Sequence, residues 1–234
     1  MALPKLNTLT YELTLPSTGE QLKFRPFLVK EQKALMIAQE SEDDKQIEMA
    51  FAKIINDCVL DKIDPYKMPM FDIEYVFLKI RGKSVGETVT LNVLCPDDEV
   101  TRVNVDVNLE EVDVQMSKDH TNVIGLTEDI KLIMKYPSLG DMSGFDDEGD
   151  VKSIFGMIKR CIHEIHDGET IHNKVDMSEK ELDVFIDSMS TQHFENLTQF
   201  FNTMPKLLHV VTTKNPKTKK KVNIEIEGVQ NFFT

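Results

Sequence analysis

The sequence predicts an α+β chain: N-terminal β-hairpins with helices, then a mainly helical half and a C-terminal β-hairpin. Three observations predict it. Apolar residues alternate with polar ones on both sides of the turn-forming runs Pro16–Gly19 and Pro96–Glu99. Between 151 and 204 the apolar residues recur instead at helical spacing. Two further short runs then flank a lysine-rich turn near the C-terminus.

The first hairpin covers residues 8–27. Tyr11, Leu13 and Leu15 alternate, Pro16-Ser17-Thr18-Gly19 supplies the turn, Leu22 and Phe24 resume the pattern, and Pro26 stops the strand. Two helices follow, one with Leu28, Leu35 and Ile37 that ends in the acidic run Glu40–Asp44, the other with Ile47, Phe51, Ile54, Ile55 and Val59. Two prolines make Asp64–Pro69 a loop. In Phe71–Glu87, Ile73, Val76, Phe77 and Ile80 stand at i, i+3, i+4 and i+7, the stripe of an amphipathic helix. Phe71, Ile73, Tyr75 and Phe77 also alternate as in a strand. The helix is the favoured reading, ended by Arg81-Gly82, with Lys83–Glu87 turning into the next strand.

A second hairpin pairs Val89, Leu91 and Val93 with Val103, Val105 and Val107. Residues 109–122 are acidic and poorly patterned and mark a subdomain boundary; a short strand Asp129–Tyr136 and a polar loop Gly140–Asp150 come next. Val151, Ile154, Phe155, Ile158, Ile162 and Ile165 then form one helical stripe. Ser178 with Glu181 reads as a capping box, and Ser190 or Thr191 caps a further helix that Pro205 closes. Strands Leu207–Thr213 and Lys221–Ile226 flank Asn215–Lys220. The expected organisation is therefore an α+β domain over 1–110, an acidic connecting segment over 111–150, and a helical segment with a hairpin over 151–234.

Composition narrows the function classes. The 234 residues carry 40 acidic against 27 basic side chains, a formal charge of −13 that repels nucleic acid and anionic membranes. Neither a basic-then-apolar leader nor an apolar run of membrane-spanning length is visible. Cys58, Cys95 and Cys161 are too few and too scattered for a disulfide framework, so a reducing, cytosol-like compartment is expected.

Candidate chemistry is sparse. Cys161, His163, His166 and His172 form the one metal-like cluster; on a helix, His163 and His166 at i and i+3 share a face, a donor set that suits zinc. The competing reading, histidines at a helix end, is preferred because Cys161 lies near the apolar stripe and His172 lies beyond the Asp167-Gly168 turn. The acidic pairs Asp43-Asp44, Asp97-Asp98, Glu110-Glu111 and Asp146-Asp147 read as solvated loop charges. Gly140–Gly149 lacks the spacing of a calcium loop, and neither Ser84 nor Ser143 has the setting of a nucleophile. Lysines 217–221 read as a solvated hairpin tip or a docking point for an acidic neighbour. The terminal Phe232-Phe233 either anchors on the core or inserts into another subunit.

Five segments carry a resemblance: Phe24-Arg25-Pro26-Phe27-Leu28-Val29-Lys30-Glu31, Phe71–Glu87, Met204-Pro205-Lys206-Leu207, Asn215-Pro216-Lys217-Thr218 and Gly228–Phe233. Together they resemble the baseplate hub subunit family of T-even-type contractile-tailed bacteriophages. The first two are the more specific, and residues 109–150 contribute nothing. The resemblance implies a non-enzymatic protein of tail morphogenesis, without cofactor, that builds the central hub through contacts with other baseplate and hub proteins. It also implies assembly in the host cytoplasm and a place in the virion. A transient tail-assembly chaperone absent from the mature particle is the alternative, and a zinc enzyme built on Cys161, His163, His166 and His172 the second. Phe24, Arg25, Phe27, Arg81, Lys83, Phe232 and Phe233 are the expected partner contacts, and removing the last six residues is expected to weaken assembly while leaving the fold intact.

Overall fold

The computed structural model describes residues 7–41, 43–143 and 151–232. Among them the chain is α+β, with helices and short antiparallel sheets alternating along the sequence. It separates into two units: Met1–Gln115 with Lys206–Thr234, and Met116–Pro205. The first unit is discontinuous, whereas the sequence reading divided the chain into consecutive segments.

In the first unit, β1 (Tyr11–Thr14) and β2 (Gln21–Phe24) form the expected hairpin, with Leu13 opposite Leu22 and both buried. Helices α1 (Val29–Glu40) and α2 (Asp44–Cys58) follow. Asp43 caps α2 by accepting from the Lys45 amide at 3.0 Å. The end of α2 is clipped to β2, since Arg25 donates its amide to the Cys58 carbonyl at 2.9 Å and Leu60 donates to that of Lys23 at 2.8 Å. Helix α3 spans Met70–Val85. It therefore runs through Gly82, where the sequence suggested a stop, and ends only at Gly86, whose φ of 136° few side-chain-bearing residues tolerate.

Strands β3 (Thr88–Leu94) and β4 (Arg102–Asn108) make the second hairpin, with Leu91 opposite Val105 inside. The acidic stretch then contributes an unexpected strand, β5 (Asp113–Gln115), which pairs with β10 (Lys206–Lys214). β10 also pairs with β11 (Lys221–Glu227), giving the order β11-β10-β5. The two hairpin tips interlock: Asn215, fully buried, donates its side-chain amide to Asp97 at 2.7 Å, and the Thr218 hydroxyl donates to the same carboxylate. The chain closes with a 3-10 turn, Val229–Phe232.

The second unit is built on the antiparallel sheet β6-β7-β8-β9: Val123–Gly125, Ile130–Met134, Ile162–Asp167 and Thr170–Asn173. Its helices are α4 (Leu139–Met142), α5 (Val151–Cys161), α6 (Glu179–Asp187) and α7 (Thr191–Thr203). Leu132, Met134, Ile158, Ile162, Leu182, Leu197 and Phe200 form the core. The Ser178–Glu181 capping box is present, and Ser190 caps α7. α4 opens the segment read as a polar loop, whose residues 144–150 lie outside the described residues.

One element differs in kind. The stripe Ile158, Ile162, Ile165 reads as one helix, but α5 stops at Cys161 and the chain turns into β8. Ladder bonds to β7 on one side and β9 on the other (Leu132 and His172 both opposite Ile165) outweigh local periodicity.

Candidate partner-contact site

α3 is buried on nearly every side, and Asp72 and Lys79 are buried with it. Asp72 is 1% exposed and accepts from the Ser17 amide at 3.1 Å and from the Ser17 hydroxyl. Burial pushes its carboxyl upward despite those bonds. Glu74 accepts from the Val229 amide at 3.3 Å. Burial pushes it to about 7, opposed by that amide and assisted by the nearby Glu227. Lys79, 9% exposed, donates to the carbonyls of Leu109 (3.3 Å), Glu110 (2.9 Å) and Val112 (3.1 Å). One ammonium thus satisfies three backbone acceptors of an irregular stretch. Burial depresses its pKa, with Glu110 and Asp113 opposing.

The segment Phe24–Glu31 is fastened to the same framework. The Arg25 guanidinium donates to Glu31 at 2.7 Å and to the Asp57 and Pro26 carbonyls at 2.7 and 2.9 Å. The other Glu31 oxygen accepts from the Leu28 amide at 2.8 Å. Burial alone would raise the Glu31 carboxyl, but Arg25, the Leu28 amide and Lys30 hold it at about 2. The Phe27 ring lies 5.5 Å from that of Phe77, and its amide donates to the Ser84 hydroxyl at 2.7 Å. The two most distinctive stretches of the sequence are thereby one packed assembly.

Beside it the polarity inverts. On α1 and α2, Val29 is 80% exposed, Ile37 54% and Met49 62%. Ile37, Met49, Ala50 and Tyr66 border an open groove of about 710 Å³ between the two helices. Leu35 and Ala38 face inward, so the neighbours Met36 and Ile37 must face out. That adjacency was the signal in the sequence, and the expected contact residues did not include it.

A family model described as T4 bacteriophage base plate protein matches residues 8–234. The chain belongs to this family. No curated protein and no solved structure matched it.

In this base plate protein the expected contact residues fare unequally. Phe24 and Phe232 are 2% and 0% exposed, so they are core residues with no surface to offer. Of the two roles considered for the terminal aromatics, Phe232 takes the internal anchor, and Phe233 lies outside the described residues. Arg25 and Phe27 are committed to Glu31 and Phe77, as above. Arg81 is partly buried, with its pKa depressed by burial. Lys83 pairs with Glu87 at 2.6 Å and Glu110 at 3.3 Å, over the Tyr11 ring.

The zinc reading loses its geometric premise. His163 and His166 stand on strand β8, not on a helix, and His163 occupies the register irregularity between Ile162 and Glu164. Cys161 is fully buried, and burial, with Asp141 adding, pushes its thiol to about 12. His166 lies 2.7 Å from Glu164. Among the described residues no three His, Cys, Asp or Glu side chains are placed to hold a metal ion. No helix among them is long and apolar enough to cross a membrane.

Proposed function

We propose that this base plate protein is a non-enzymatic structural subunit or assembly factor of the central hub, acting through contacts with other baseplate proteins. The observation that carries the reading is the exposed apolar groove of α1 and α2, held beside a framework whose charges are already satisfied within the chain. Apolar area displayed on a firm support is the arrangement of a protein-contact surface. Leu28 and Val29, exposed at the end of the Phe24–Glu31 segment, add apolar surface there, so the contact includes that end rather than the buried Phe24. The protein acts in the host cytoplasm during assembly and remains in the tail, its partners being hub proteins rather than nucleic acid or membrane.

Quantitative mass spectrometry of purified phage particles against infected-cell lysate tests this. Stoichiometric presence in the particle supports a hub component. Presence in the lysate alone assigns the protein to the chaperone role, leaving before the tail is complete.

A further inference from the structure

The second unit has a cavity of about 590 Å³ between the β8–β9 hairpin and α6. Its floor is apolar, with Ile165 and Leu182 buried beneath Phe185, and its rim carries Asp167, Asp176 and Glu181. Glu181 spends one oxygen on the Ser178 cap. Among the described residues, neither Asp167 nor Asp176 has an ion-pair partner, and two of the unit's lysines are committed to other carboxylates: Lys174 to Glu179 at 3.2 Å, Lys159 to Asp183 at 2.8 Å. Residues 116–205 as a whole hold 17 acidic against 8 basic side chains. An apolar floor under unpaired carboxylates suits a cation on an aliphatic stem.

The chain carries such a group itself. The β10–β11 tip presents Lys217, Lys219, Lys220 and Lys221, all exposed and, among the described residues, none ion-paired within its own chain. The tip is pre-shaped. The Asn215 side chain accepts from the Lys217 and Thr218 amides at 2.8 and 3.2 Å, its carbonyl accepts from the Lys219 amide at 2.9 Å, and its side-chain amide is tied to Asp97. Ordering such a turn on binding costs little beyond the lysine side chains.

We propose that the cavity between β8–β9 and α6 receives the basic β10–β11 tip of a second copy of this chain. The lysine stems lie on the floor and the ammonium groups meet Asp167 and Asp176. Reciprocal insertion gives a closed two-fold dimer, and one-way insertion gives a ring. The proposal concerns the isolated protein, so its failure leaves the hub reading standing.

Sedimentation velocity of the whole protein over a concentration series tests it, at low salt and again at about 0.5 M, where exposed charge pairs are screened. The expected result is self-association that salt weakens. Lys217→Glu/Lys219→Glu/Lys220→Glu and, separately, Asp167→Lys/Asp176→Lys should each weaken it by roughly tenfold or more, and mixing the two variants should restore it. Asp176→Lys alone carries the cavity arm if the double change lowers Tm. A wild-type chain that stays monomeric at low salt overturns the proposal, as does self-association that neither reversal moves. A monomer that nevertheless binds a synthetic peptide of residues 214–221 also overturns it, leaving the cavity to a basic segment of another protein.

Discussion

Helices α3 and α1 have opposite arrangements. α3 buries Asp72 and Lys79 and satisfies both within the chain, while α1 leaves Val29, Met36 and Ile37 in solvent. Burying polar groups costs free energy unless every bond is remade. α3 meets that condition because its partners converge from distant stretches: Ser17, Leu109–Val112 and Val229. On α1 only Glu31 is buried and bonded in this way, and Val29, Met36 and Ile37 stay exposed.

The contrast breaks most severely at the C-terminal anchor. Phe232→Ala removes a fully buried ring beside α3 and should cost about 3–5 kcal/mol, read as a drop in the urea midpoint. Truncation of the last six residues should therefore unfold the chain rather than spare it, contrary to the sequence-based expectation. Next, Arg25→Met leaves the buried Glu31 carboxylate with the Leu28 amide at 2.8 Å and the exposed Lys30 at 3.1 Å, and should cost about 3 kcal/mol. In wild type Glu31 is held below its ordinary value. Its contribution is therefore full above an unfolded-state value near 4.5 and is lost as pH falls toward about 2. An acid titration followed by circular dichroism should show that limb shallower in the variant.

Glu74 has the opposite sign. Its folded value, about 7, lies above the unfolded one, so the folded state holds a proton that the unfolded state has released. Stability should fall as pH rises from about 4.5 through 7. Glu74→Gln keeps an acceptor for the Val229 amide and should gain on the order of 2 kcal/mol at pH 8 with little change at pH 4. A Tm profile parallel to wild type across that range would refute the assignment. The smallest effect on stability belongs to the exposed helix. Ile37→Lys with Met49→Lys should move the midpoint by under about 0.5 kcal/mol per site while sharply reducing incorporation into phage particles. That outcome would sharpen the comparison most.

Elements set by local chemistry were legible in the sequence. The Ser178–Glu181 box, the Pro16–Gly19 turn and the alternation across both β3–β4 and β10–β11 need only neighbouring residues, and all are present. β8 was not legible, because Ile158, Ile162 and Ile165 keep helical spacing across a boundary that pairing with β7 imposes. β5 has three residues and exists through β10. The candidate site was half visible. Its segments stood out, but whether Arg25 or Phe24 faced a partner depended on Glu31, Asp57 and the core, which spacing does not reveal.

The discontinuity of the first unit governs the order of events on the ribosome. β5 leaves the exit tunnel long before β10, the strand it pairs with, and at about 5–20 residues per second the intervening 116–205 take on the order of ten seconds to synthesise. The second unit, being contiguous, is complete before its host. Until Lys206 emerges, β5 is an unpaired edge, and until Asn215 and Phe232 arrive the tip lock and the α3 anchor are missing. Until those residues are made the first unit stays open to proteases and to wrong strand partners, and a stall within 116–205 prolongs that exposure.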